Sequence, residues 1–159
     1  MKRVLITGMS GTGKSSVIAE LASLGFKAVD TDSNPEWEEV TSESEWLWRE
    51  DRIRGLLETE DSDVLFVSAC VSNQGRFYDR FDAVVLLSAP EPVMVRRLAE
   101  RTNNPYGKRP GEVADVLGFK QTVEPLLRRG ATLEIDTSIP LAEVVAQVLS
   151  AAEPNGRKQ

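Results

Sequence analysis

Gly8-Met9-Ser10-Gly11-Thr12-Gly13-Lys14-Ser15 has the spacing G-x-x-x-x-G-K-[ST]. Glycines in such a loop let successive backbone N–H groups turn inward at a polyphosphate. The lysine reaches the outer phosphates, and the serine hydroxyl serves a divalent cation. Ser16 follows at the start of the next element and belongs to the same candidate phosphate cradle. Because short patterns recur by chance, the flanks decide the matter. Val4-Leu5-Ile6 reads as a β-branched, apolar strand ending at Thr7, and Val17, Ile18, Leu21 and Leu24 follow at helical spacing. Strand, loop and helix therefore come in the order that aims a helix N-terminus at phosphate.

A second candidate constellation is Asp30-Thr31-Asp32, at the end of the strand predicted over Lys27-Ala28-Val29-Asp30. Two carboxylates two residues apart, just past a strand, can serve Mg²⁺ and a substrate hydroxyl. The same residues would also make an ordinary acidic strand-to-helix turn. Cations for an anionic ligand come from several places. Arg49, Arg52 and Arg54 lie on a helix predicted to start at Ser44, and Arg76 and Arg80 lie on a short helix predicted over Gln74 to Arg80. Each is equally readable as part of a solvated charged face. Trp37, Trp46 and Trp48 fall in the same region, where packing is the expected role and a pocket wall the alternative.

The elements that must hold these residues follow from the apolar runs. Val64-Leu65-Phe66-Val67 and Ala83-Val84-Val85-Leu86-Leu87 are continuous enough for strands buried on both faces of a parallel sheet, and Thr132 to Asp136 is a fifth strand. Ser68-Ala69-Cys70 ends the third strand with small side chains, as expected where a ligand passes close to backbone. Residues 33–45 are polar and broken by Pro35, and are expected as loop or short irregular helix. Helices are predicted from Pro90 to Thr102, from Glu112 to Arg129 with a break near Gly118 and Pro125, and from Pro140, where Leu141, Val144, Val145, Val148 and Leu149 form a core-facing stripe. The stretch Asn103 to Gly111, with Lys108 and Arg109, is a basic, turn-rich loop of the kind that closes over a reacting phosphoryl group. These elements predict a three-layer, doubly wound, five-stranded parallel α/β sheet over residues 1–152, a P-loop nucleoside triphosphate hydrolase fold with a lid, and a flexible tail over 153–159.

Composition sets further bounds. With 159 residues the chain is long enough for one domain with its own core. A net charge of -6 argues against a general nucleic-acid binder. A single cysteine, Cys70, fits a reducing, cytoplasmic setting. No apolar run reaches membrane-spanning length, and the chain opens directly on a core strand, so neither a membrane partner nor a leader is expected. The chain has no histidine, which excludes a histidine base or a histidine-rich metal site.

On these residues the chain resembles the shikimate kinase and gluconate kinase group of P-loop kinases, close in fold to nucleoside monophosphate kinases. The resemblance rests on Gly8 to Ser15, Val29-Asp30-Thr31-Asp32, Val95-Arg96-Arg97, Arg109-Pro110 and Ile135-Asp136-Thr137. It implies ATP and Mg²⁺ as cofactors. By the resemblance, Gly8, Ser10, Gly11, Thr12, Gly13, Lys14, Ser15 and Ser16 hold phosphate, and Ser15 and Asp30 position the metal. Asp32 contacts the acceptor hydroxyl, Arg109 reaches the phosphates from the lid, and Arg97 with the loop carrying Asp136 and Ser138 borders the adenine. The catalytic set it implies is Lys14, Asp32 and Arg109. The acceptor side departs from the pattern. Ser68-Ala69-Cys70 stands where shikimate kinases carry three glycines, Val123 where they carry a substrate arginine, and Val71-Ser72-Asn73-Gln74 where gluconate kinases carry basic residues. Three functions stay open: a kinase for a hydroxyl of an unidentified small metabolite, a nucleoside monophosphate kinase, and a nucleotide-binding regulator. The partners expected are ATP and that acceptor, in a monomer or homodimer.

Overall fold

A computed structural model describes residues 1–32, 34–100 and 108–153. Its main sheet contains β1 (Lys2–Thr7), β2 (Lys27–Asp30), β5 (Val64–Ser68), β6 (Ala83–Ser88) and β7 (Leu133–Asp136), in the order β2-β5-β1-β6-β7. Every pairing is parallel, with β1 central between β5 and β6. The chain runs from β1 to the far edge, returns, and then crosses to the other side. The switch in winding direction therefore falls beside β1, where ligands of open α/β sheets bind beyond the strands' carboxyl ends.

Alternation along the strands builds the layers. Val4 and Ile6 of β1, Phe66 of β5 and Val85 of β6 are buried against α1 (Lys14–Ser23) and α6 (Leu141–Ala151). Leu5, Leu65, Val67 and Val84 point the other way, toward α2 (Glu50–Glu58) and a 3-10 helix over Gln74–Arg80. Successive side chains of one strand thus feed opposite cores, which is why its sequence is apolar without alternation. A third cluster joins Met9 and Leu86 to α3 (Glu91–Glu100), α4 (Pro110–Thr122) and α5 (Glu124–Gly130) through Met94, Leu98, Val116 and Leu127.

The predicted sheet and its flanking helices are present. The region between β2 and α2 differs from expectation. Of the expected loop or short irregular helix, the described residues 34–45 form turns and a strand rather than a helix, and no helix begins at Ser44. The chain forms an antiparallel hairpin, β3 (Glu38–Val40) with β4 (Trp46–Trp48), in which Glu38 pairs with Trp48 and Val40 with Trp46. Thr41 shapes its turn, its Oγ1 accepting from the N–H groups of Glu43 and Glu45 at 3.2 Å, and Ser44 takes a φ of 63°. α2 begins only at Glu50, where Glu50 and Asp51 complement the helix N-terminus. The predicted break near Gly118 and Pro125 falls at Val123, and Gly118 sits inside α4. Residues 101–107 and 154–159, which include most of the predicted lid and the predicted tail, lie outside the described residues.

Candidate active site

β1 delivers the glycine loop at the sheet's central edge, and α1 receives it. Two glycines are dictated by geometry. A Cβ on Gly8 would lie 2.4 Å from the Leu87 carbonyl oxygen, and Gly13, the residue before α1, has a φ of 99°. α1 has no side-chain cap, which leaves its first-turn N–H groups to an oxyanion. The loop is held from within: Thr12 Oγ1 donates to the Met9 carbonyl at 2.7 Å, and buried Thr137, just past β7, donates to the Thr12 carbonyl at 2.7 Å.

Lys14 is only 8% exposed. Its Nζ donates to the Gly8 carbonyl at 2.7 Å and stands 3.5 Å from Asp32 Oδ2. Burial opposes the ammonium charge, but the carboxylates of Asp32 and Asp30 favour it, and the lysine's pKa rises above its ordinary value. Beside it, Asp30 is a hub. Its Oδ2 accepts from Ser15 Oγ at 3.2 Å, and its Oδ1 accepts from Ser68 Oγ at 3.1 Å and from the Asp32 N–H at 3.0 Å. A serine hydroxyl next to an oriented carboxylate is the hard-oxygen, few-ligand set that suits Mg²⁺, an ion that keeps much of its water and takes phosphate oxygens. Among the described residues no group of three or more Cys, Asp or Glu side chains could chelate a metal alone.

A cleft of about 1460 Å³ runs over this loop, lined by Ser10, Gly11, Gly13, Lys14, Ser15 and Ser16, then by Asp30 and Asp32. At one end lie Arg97, Thr137 and Ile139. Arg97 Nη1 donates to Thr137 Oγ1 at 2.8 Å and to the Gly11 carbonyl at 3.4 Å, so it clasps the back of the loop to the segment after β7. Burial and neighbouring Arg96 lower its pKa from the usual guanidinium value. At the other end the hairpin, the 3-10 helix and α4–α5 supply walls through Glu45, Trp46, Tyr78, Phe119 and Val123.

Most of the residues singled out in the sequence come together here. Five of those assigned a site role do not line the cleft: Gly8 and Thr12, which are buried within the loop itself, and Asp136, Ser138 and Arg109. Asp136 and Ser138 are exposed and bonded to each other, Ser138 Oγ donating to Asp136 at 2.6 Å. These bonds lower the aspartate's pKa. Arg109 is exposed at the start of α4, while its neighbour Lys108 caps α3, donating to the Ala99 carbonyl at 2.6 Å. Other contributors escape motif reading. Buried Thr31 joins β5 to the hairpin, its Oγ1 donating to the Ser68 carbonyl at 2.8 Å and accepting from Trp48 Nε1 at 2.9 Å. Buried Gln74 links Thr7 Oγ1, Tyr78 Oη and the Val71 N–H, each at 3.0 Å. No local signal marked either, since Thr31 stands between two aspartates and Gln74 between Asn73 and Gly75.

Sheet order, glycine loop and the carboxylate pair after β2 together define a P-loop α/β domain of kinase-like fold. The chain belongs to the AAA domain family, whose pattern matches residues 4–118. Among similar structures are a shikimate kinase from Acinetobacter baumannii in complex with shikimate and a gluconokinase from Sinorhizobium meliloti. The first has 18% identity and a TM-score of 0.69, covering 99% of this chain and 96% of the other. The second has 20% identity and a TM-score of 0.58, covering 95% and 91%. At such identities the likeness is one of fold. Curated relatives include nucleotide-binding proteins of Acidobacterium capsulatum, 30% identical over 139 residues, and Gluconacetobacter diazotrophicus, 29% identical over 139 residues. Each match covers 85% of this chain but 44% and 37% of the relative, so the chain spans less than half the length of these proteins.

Proposed function

We propose that the chain is an ATP-dependent phosphotransferase that moves the γ-phosphoryl group to a hydroxyl of a small polar metabolite. The observation that carries this reading is the position of Asp32: its carboxylate meets Lys14 Nζ at 3.5 Å where the phosphate loop opens into a walled compartment. A nucleotide-binding loop alone has no use for that compartment.

Lys14 and the loop amides would hold the β- and γ-phosphates, and Arg97 would brace the loop's nucleotide end. Ser15 and Asp30 would hold Mg²⁺, which when bound neutralises phosphate charge. Lys14 turns from Asp32 to phosphate, and this frees the carboxylate to orient the acceptor. The acceptor oxygen then bonds to the γ-phosphorus, the bond from that phosphorus to the bridging oxygen of ADP breaks, and the hydroxyl proton passes to Asp32. Arg109, on the flank of the predicted lid, is the cation proposed to approach the phosphoryl group on closure.

Lys14→Ala tests the foundation. ATP affinity and turnover are expected to fall at least about 100-fold, the scale of losing charge-assisted bonds to phosphate, with the circular dichroism spectrum retained. Unchanged ATP binding by calorimetry would remove the reading. A second reading, a nucleotide-binding regulator, is favoured by the relatives' designation as nucleotide-binding proteins. Tight ATP binding without ADP release across a broad metabolite panel would select it. The nucleoside monophosphate kinase reading has less support, because Arg49, Arg52 and Arg76 do not line the cleft.

A further inference from the structure

Resting on the phosphotransferase reading, we infer that the acceptor is a hydroxyl compound that carries an amine and no anionic group. The charges around the cleft carry this inference. Among the described residues its lining includes the carboxylates Asp30, Asp32, Glu45 and Glu100, against the cations Lys14 and Arg97. Both cations are committed at the phosphate loop, Lys14 to the Gly8 carbonyl and Asp32, Arg97 to Thr137 and Gly11. No other described Lys or Arg lines the cleft.

The arginines that could have faced an anion point elsewhere. Arg49 donates to the Pro35 carbonyl at 3.0 Å and pairs with Glu39, and Arg52 donates to the Glu36 carbonyl at 3.1 Å. Arg54 and Arg76 pair with Glu50, and Arg80 with Glu58. On the opposite wall Val123 is flanked by Phe119, 50% exposed, and Leu126, 57% exposed, both lining the cleft. This wall meets a carbon skeleton and cannot pair with a carboxylate or phosphate.

What the compartment does present suits a cation. Glu45 is fixed at its rim by Ser72, whose Oγ donates to Glu45 Oε2 at 2.9 Å, and Trp46 lines the same cleft. Tyr78 also lines the cleft, pressed by α5, where a Cβ on Gly130 would lie 2.3 Å from the Tyr78 ring. Carboxylate and aromatic faces both attract an ammonium group. ATP on the phosphate loop would add further negative charge to the cleft, which raises the cost of an anionic acceptor and lowers that of a cationic one.

The test uses the purified chain with two matched series, glucosamine, glucose and gluconate, and ethanolamine, ethylene glycol and glycolate. ADP release is followed with ATP and Mg²⁺, and binding by calorimetry with a non-hydrolysable ATP analogue. The amine of at least one series is expected to bind and turn over about tenfold better than its neutral and acidic counterparts. Glu45→Lys should narrow that ratio roughly three- to fivefold, the scale of an exposed ion pair. Preferred or equal use of the neutral compound or the acid overturns the charge assignment and leaves the phosphotransferase reading standing. Amine binding without ADP release preserves the assignment and defeats phosphoryl transfer. Failure of every amine to bind overturns the assignment.

Discussion

Lys14 and Asp32 hold each other where the chemistry is proposed to occur, so removing either leaves a charge without its partner. Asp32→Asn keeps shape and hydrogen bonding but loses the negative charge that orients and deprotonates an acceptor. Turnover is expected to fall about 100- to 10,000-fold, the usual range for a general base, while ATP affinity changes little, because the phosphates are held by Lys14 and the loop. Calorimetry with ATP alongside a coupled assay checks the split, and equal loss in both would assign Asp32 to nucleotide binding. Cys70 gives a second test. Burial raises the pKa of its thiol above the ordinary range even though nearby Lys14 favours the thiolate. The group is therefore a neutral thiol at physiological pH, and iodoacetamide should label it more slowly than free cysteine, with the rate still climbing at alkaline pH. A rate at neutral pH equal to or above that of free cysteine would show a thiolate and a different electrostatic balance around Lys14.

At the scale of elements, the parts legible in the sequence were those whose periodicity reports their own burial. β1, β5 and β6 are apolar because both sheet faces are covered, and α6 carries an apolar stripe because one face is covered. The glycine loop was legible for a different reason: its residue types are required by backbone geometry. The β3–β4 hairpin was not legible, because Trp46-Leu47-Trp48 suits a strand or a helix equally and what decides is distant. Trp48 is 1% exposed and its indole N–H reaches Thr31 across 17 residues of chain. The Trp48 backbone N–H donates to Asn73 Oδ1 at 3.0 Å, and Asn73 Nδ2 donates back to the Trp48 carbonyl at 3.1 Å. Neither contact is visible from local pattern. It follows that Trp48 couples the hairpin wall to the aspartate pair. Trp48→Phe, which keeps an aromatic but removes the N–H donor, should cost about 1–3 kcal/mol in urea unfolding and raise the acceptor KM more than the ATP KM. A stability loss with both KM values unchanged would make the tryptophan a packing residue alone.

In the whole molecule, the phosphate loop is held by residues far apart in sequence that meet at one hydroxyl. Thr137 Oγ1 lies 2.7 Å from the Thr12 carbonyl and 3.1 Å from the Ser88 carbonyl, and it accepts from Arg97 at 2.8 Å. A hydroxyl has one proton to donate, so the shorter bond, to Thr12, is the one that holds the loop, and the Ser88 carbonyl is served by the Thr137 N–H at 2.8 Å. The end of β6, the segment after β7, α3 and the loop are thereby joined before any nucleotide arrives. A preformed loop binds phosphate without first being ordered, which conserves binding free energy. Thr137→Val preserves volume and removes this junction. Leaving the Thr12 carbonyl unpaired should cost about 1–3 kcal/mol, a fall in Tm of roughly 2–4 °C per kcal/mol for a chain of this size. ATP affinity should weaken with it, whereas Thr137→Ser should recover most of both. Loss of stability with ATP affinity intact would mean that the β1–α1 connection holds the loop alone, and that Arg97 and Thr137 serve only to pack α3 against the sheet.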